Sequence, residues 1–236
     1  MPDQIKLEYK FKKGEVFKYT SVIDSTNKII QNDKNIIQSS TAKMDMDQTT
    51  KEINLDGTGT IEVKITKGTV TFEDKTENLP NVGQIVVMKM KKNGEIIETS
   101  VQVPFTQPTL PEKRIALKES WTGDSKISIP NKKEAITIKY NYQLVEFKNI
   151  NNRECAVITL STPPTEFEIE KDVIQKVEAK GFTYFDFNAG TLVKSEVETN
   201  AVIKSTMAEI ETTSKIKLDL TEVSSSGSLD EGYIIK

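Results

Sequence analysis

The chain has 236 residues, of which 36% are hydrophobic and 28% charged, with a formal net charge of −3, one cysteine and no histidine. That length accommodates one large β domain or two modest ones. The balanced, slightly acidic charge offers no electrostatic footprint for nucleic acid. Without histidine, the commonest general base near neutral pH and the commonest zinc ligand are gone. A single thiol excludes an intrachain disulfide and a thiolate metal cluster.

Period-two alternation with β-branched residues dominates from Val16 to Val223. In VFKYTSVID, Phe17, Tyr19, Ser21 and Ile23 share a face, and a turn cluster over 31–35 ends the run. The next run places Ala42, Met44, Met46 and Gln48 together. Asp56-Gly57 predicts a type I′ hairpin, since both central residues tolerate positive φ. Beyond it, Ile61, Val63 and Ile65 alternate with Thr60, Glu62 and Lys64. A further hairpin is expected at Asn93-Gly94.

The pattern stops at PFTQPTLP, where three prolines remove ladder donors and mark a connector. Four segments are therefore expected: a first β meander over 1–103, a proline-rich connector over 104–116, a second meander over 117–223 and a flexible tail over 224–236. In the second meander Ile136, Ile138, Tyr140, Tyr142 and Leu144 alternate, and a turn over Asn149 to Asn152 leads to Ala156, Ile158 and Leu160. Sliding the chain against itself by roughly 96 residues lays Asp56-Gly57 on Asn152-Arg153 and Gly94 on Gly190, which suggests two related halves. The segment FEIEKDVIQKVEAKG has both helical and strand spacing, as does KSTMAEIETTSK. Strand is favoured in the first by its neighbours, with at most one or two short helices in the whole.

Chemistry-bearing patterns are few. KEINLDGTGTIE resembles a calcium loop, but the obligatory bidentate glutamate would fall on Val63, so a hairpin turn is the better reading. No metal-binding set is expected, and no cofactor. Cys155 lies in mid-strand with no histidine to activate it. Serines and threonines occur as strand polar faces, outside any nucleophile elbow. A pair of converging carboxylates is the one catalytic arrangement left open.

Aromatic residues concentrate in the second half. In FTYFDF, Phe182 and Tyr184 fall on one face, with Phe185 and Phe187 placed as core on the other. Tyr140, Tyr142, Phe182 and Tyr184 are the expected ligand-binding set, each tyrosine offering an apolar body with a polar tip. Met44, Met46, Met88 and Met90 are adaptable residues suited to lining an apolar cavity or filling a core.

The sequence KKGEVFKY, followed by DGTGTIEVKI, KKNGEIIETS, KESWTGD and GFTYFDFNAGTLVKSE, resembles a type of uncharacterised bacterial exported β protein, often a lipoprotein. It is similar, more distantly, to the half-barrels of bacterial lipoprotein and lipid carriers. The resemblance implies an extracytoplasmic setting, periplasmic or at the cell surface. No stretch approaches the length of a membrane-spanning helix, and MPDQIKLEYKFKKGE lacks the basic and apolar regions of an export signal. The expectation is an all-β protein of antiparallel meanders forming curved sheets or half-barrels, non-enzymatic, which binds a lipid or other apolar ligand or a partner protein. A structural subunit of a surface assembly and a carboxylate-based hydrolase stay open as alternatives.

Overall fold

Alternation this sustained produces strands long enough to curl. The computed structural model describes residues 3–32, 34–100, 107–127 and 136–225. Among them 72% are strand, none is helical, and the strands form a single antiparallel sheet that does not close into a barrel. In chain order they are β1 (Glu15–Gln31), β2 (Lys34–Ile53), β3 (Gly59–Phe72), β4 (Lys75–Asn78), β5 (Ile85–Met90), β6 (Ile96–Thr99), β7 (Ser120–Ile127), β8 (Ile136–Ile150), β9 (Arg153–Ser161), β10 (Thr165–Glu170), β11 (Val173–Asp186), β12 (Thr191–Lys204) and β13 (Glu209–Ser225). Neither ambiguous segment is helical: β10 and β11 pair as a hairpin in the first, and the second holds the turn over 205–208 that joins β12 to β13.

The sheet order is β6-β5-β3-β2-β1-β13-β12-β11-β9-β8-β7, with β4 on β3 and β10 on β11. Each half of the chain is thus a meander, and the halves join through β1 and β13 along sixteen residue pairs from Glu15↔Ser225 to Ile30↔Glu209. The turns at Asp56-Gly57 and Asn152-Arg153 both fall between the second and third strands of their meander. β13 runs to Ser225, past the expected start of a tail at 224. Residues 226–236 lie outside the described residues, as does the proline-rich stretch up to 106.

Both glycine hairpins are present, but Asp56-Gly57 departs from the expected type I′ geometry, and Asn93-Gly94 shares its form. Gly57 and Gly94 have φ of 77° and 86°, while Asp56 and Asn93 are absent from the positive-φ residues. In both, the glycine N–H donates to the carbonyl three residues back, Asn54 and Lys91 respectively, forming a type I turn followed by a left-handed glycine. The reason lies in the side chains. The Asp56 carboxylate accepts the Thr58 N–H at 3.0 Å, and the Asn93 carbonyl oxygen accepts the Glu95 N–H at 3.1 Å. The two-residue type I′ turn falls instead at Asn151-Asn152, both at positive φ.

The two ends of the sheet meet on one face. Ile61, Met88 and Met90 from β3 and β5 join Tyr142, Leu144, Ile158 and Phe185 from β8, β9 and β11 in one buried cluster. Between them run two extended segments, one contributing Ile5, Leu7 and Tyr9, the other Leu110 and Ile115 from the connector. Their backbones are tied to both ends: Tyr9 N–H donates to Lys92 O at 2.7 Å, and Lys10 N–H to Gly190 O at 3.1 Å. A second cluster gathers Phe17, Tyr19, Met44, Met46, Ile65 and Leu220 from the central strands. All four methionines singled out in the sequence are therefore core residues.

Strand lengths decide how far this core reaches. β2 has 20 residues and β1 and β13 have 17 each, whereas β5 has 6 and β9 has 9. At ~3.3 Å per residue, a 20-residue strand extends ~66 Å and a 6-residue strand ~20 Å. The central strands outrun the partners that cover them, and among the described residues their far halves carry an uncovered face.

Candidate functional site

The expected aromatic set does not form one surface. Tyr142 is 4% exposed and lies in the main core, stacked on Trp121 at 5.5 Å and on Tyr140 at 6.0 Å. Burial pushes the Tyr142 hydroxyl up to about 12. Phe182 and Tyr184 are on the opposite side of the sheet: Phe182 pairs with Glu196 and Thr159, and Tyr184 with Lys194. Phe182 is 48% exposed, in a shallow groove of about 480 Å³ shared with Lys180, Glu198, Lys215 and Lys217. Phe185 is fully buried, edge-on to Tyr9 at 5.1 Å, and Phe187 packs on Phe147 at 5.8 Å.

Other sequence candidates are used by the fold. Asp56 accepts hydrogen bonds from Thr58, which hold its carboxyl below the usual range. Asp186 is buried; it bonds Arg153 at 3.1 Å and accepts the N–H groups of Asn188 and Ala189, so it anchors the β11–β12 turn. Cys155 is fully buried, and that burial, with the nearby Asp186, pushes its thiol up to about 11. Such a group stays protonated and inert at neutral pH.

What sequence reading passed over is the uncovered face of the central strands. Directly paired residues share a face, so the register defines it row by row. Nearest the core is the row Gly181–Val197–Ile216–Ile23–Ala42, running from β11 to β2. Next come Ala179–Thr199–Ser214–Ser25–Ser40 and then Val177–Ala201–Thr212–Asn27–Gln38. The last is Gln175–Ile203–Ile210–Ile29–Ile36. None of these positions is charged. Most are half-buried, because the sheet curls towards the side on which its ends meet.

The other face of the same strands is the reverse. Its intervening row Lys180–Glu198–Lys215–Asp24–Thr41 carries four charges, Glu196, Lys217 and Lys43 follow in the row on one side, and the row on the other is Glu178–Asn200–Thr213–Thr26–Ser39. The signal was present in the sequence as charge rather than hydrophobicity. In KIKLDL, Lys215, Lys217 and Asp219 alternate with Ile216, Leu218 and Leu220; in VETNAVIK, the uncharged side is Val197, Thr199, Ala201 and Ile203.

The inner face opens at hairpin tips that lie level with one another, since Ile30 pairs with Glu209 and Lys204 with Ile174. This rim carries exposed Ile36, Ile37, Ile174 and Met207. Its middle is lined by neutral hydrogen-bonding groups. The Ser25 and Ser214 hydroxyls are bonded at 2.9 Å, and Thr212 donates to the Asn27 side-chain oxygen at 2.7 Å.

Together these features define an open, curled antiparallel sheet with a charged outer face and an uncharged inner one. No family model matches the sequence, and no curated protein does. Among solved structures the chain is similar to one described as lipid–protein interactions in lipovitellin, with TM-score 0.57 and 10% identity, over 93% of this chain and 26% of that one. The chain thus spans about a quarter of that protein's length, and the likeness is one of fold. A DUF1329 family protein from Desulfovibrio piger aligns over 92% of this chain and 89% of its own, at 12% identity and TM-score 0.17. An outer-membrane lipoprotein-sorting domain from Vibrio parahaemolyticus aligns over 90% and 87%, at 11% identity and TM-score 0.15.

Proposed function

We propose that this protein is a non-catalytic binder that holds an apolar ligand against the inner face of its central strands. One observation carries the reading: that face excludes charge over four successive rows, while about half the positions on the reverse of the same strands are charged. A sheet face meant only for water would be polar and charged, as the outer one is. An uncharged face that is half-buried and open at one end suits a ligand that brings its own apolar surface. The fold shared with lipovitellin, a protein described by its lipid interactions, supports the reading. The resemblance to exported β proteins supports a setting outside the cytoplasm.

The test uses neighbouring residues on opposite faces. Ala201 is on the inner face and Asn200 on the outer. Purified protein is titrated with Nile red, and the emission change is followed for the wild type, Ala201→Arg and Asn200→Arg. The proposal expects Ala201→Arg to weaken binding at least tenfold and Asn200→Arg to leave it within twofold. Equal effects of the two substitutions would remove the inner face as the site.

A further inference from the structure

The inner face is uncharged without being uniformly apolar, and its polar groups fall in order. The row nearest the core offers Val197, Ile216, Ile23 and Ala42, and the row at the rim Ile203, Ile210, Ile29 and Ile36, with Gln175 at its β11 end. Between them lie Thr199, Ser214, Ser25 and Ser40 beside Ala179, then Thr212, Asn27 and Gln38 beside Val177 and Ala201, so that the polar groups gather on β13, β1 and β2. Same-face rows are ~6.7 Å apart along a strand, so the neutral belt is roughly 7 Å deep with hydrocarbon-like surface on each side. Resting on the binding role proposed above, we infer that the ligand is an uncharged ester lipid, a molecule whose neutral polar centre lies between hydrocarbon arms.

The belt's chemistry favours this class over an ionised amphiphile. The hydrogen-bonded pair of Ser25 and Ser214 keeps one hydroxyl proton between them to donate. Asn27 spends its side-chain oxygen on Thr212, which leaves its amide hydrogens as its remaining donors. Donors of this kind match ester carbonyls and hydroxyls. A carboxylate or phosphate would lose hydration on entering and gain no counter-ion among the described residues. The lysines closest in register, Lys28, Lys43, Lys215 and Lys217, all sit at positions that alternate to the outer face. A pure hydrocarbon would strip water from the belt and return no hydrogen bond to it.

Delipidated full-length protein is challenged by competition against Nile red with three probes: 1,2-dioleoylglycerol, sodium oleate at pH 8 and squalene. The inference expects dioleoylglycerol to compete at least tenfold more strongly than either of the others. Thr212→Lys puts one cation in the belt and should reverse the order of dioleoylglycerol and oleate. Thr213→Lys, on the outer face, should leave it unchanged. Circular dichroism checks that the variants keep their sheet, and Thr199→Lys serves in place of Thr212→Lys if that variant does not fold. Oleate competing as well as dioleoylglycerol in the wild type would overturn the neutral-ligand inference and leave the binding role intact. Squalene competing equally would overturn the role of the belt. Failure of Nile red itself to bind would overturn the binding role first.

Discussion

Phe185→Ala tests whether the two ends of the sheet really close on one core. Phe185 has no exposed surface, stands edge-on to Tyr9 with ring centroids 5.1 Å apart, and belongs to the cluster that joins β3 and β5 to β8 and β9. Truncation removes a buried ring and leaves a cavity beside a segment that cannot collapse freely, since Tyr9 and Lys10 are tied to Lys92 and Gly190. The expected cost is about 3–5 kcal/mol, of which ~1 kcal/mol reflects the ring pair. For a chain this long, ~2 °C of Tm per kcal/mol gives a fall of roughly 6–10 °C. Phe182→Ala is the control three positions away. On the outer, charged face, 48% exposed, it should cost no more than about 1 kcal/mol. Urea unfolding followed by Trp121 fluorescence reads both, because the sole tryptophan stacks on Tyr142 beside the same core. A Phe185→Ala loss below about 1 kcal/mol, or a Phe182→Ala loss equal to it, would refute this arrangement of faces.

Burial pushes both Tyr19 and Tyr142 up to about 12. A tyrosine raised in the folded state stabilises fully below its unfolded pKa of about 10 and loses that contribution as pH rises through about 12. Each should cost up to about 3 kcal/mol over that window, read by urea midpoints at pH 8 and 11.5 alongside tyrosinate absorbance at 295 nm; a flat midpoint counts against the burial of both rings. Gly190 has φ of 69° and an added Cβ would meet the Lys10 backbone nitrogen at 2.6 Å. Gly190→Ala should therefore lose roughly 1–3 kcal/mol by thermal denaturation, and an unchanged Tm would mean the N-terminal segment yields there. Cys155, buried with its thiol pushed up to about 11, should resist a thiol reagent such as DTNB at pH 8 until urea unfolds the chain; rapid labelling of the native protein would contradict its packing.

Strand type was legible nearly everywhere because alternation is local, and so were the turn positions, marked by glycine and asparagine. Turn geometry was less so: whether Asp56 adopts positive φ depends on the Thr58 N–H donating to its carboxylate, a contact dipeptide preference does not encode. The Asp186-to-Leu192 stretch lies in the segment that carries the resemblance to exported β proteins, and the structure gives it a physical basis. Asp186 receives the loop N–H groups, Gly190 takes the left-handed conformation beside Lys10, and Leu192 is buried. The aromatic set failed to define a surface because neither Tyr142 nor Phe182 can report which face of the sheet meets its other end. That is settled by closure over more than fifty residues, from Met88 to Leu144, and no local window contains it.

The uncovered face follows from two quantities that vary separately along the chain. Strand length sets where cover ends: the 17 to 20 residues of β1, β2 and β13 project past the 6 of β5 and the 9 of β9. Composition sets what the overhang is like. If the overhang were only surplus sheet, solvent would select charge on both sides, and Lys or Glu would appear as readily at Thr199, Ala201 or Ser214 as they do at Glu198 and Lys215. If it were core awaiting a permanent cover, the middle rows would be Val, Ile and Leu, as they are at Ile61 and Ile158. Ser25, Asn27, Thr199 and Thr212 fit neither case. They hydrate easily when the face is empty and cost little to cover when a neutral molecule supplies hydrogen bonds in return. A face that must exist both wet and covered is best built from such residues, which is the composition expected where a ligand comes and goes.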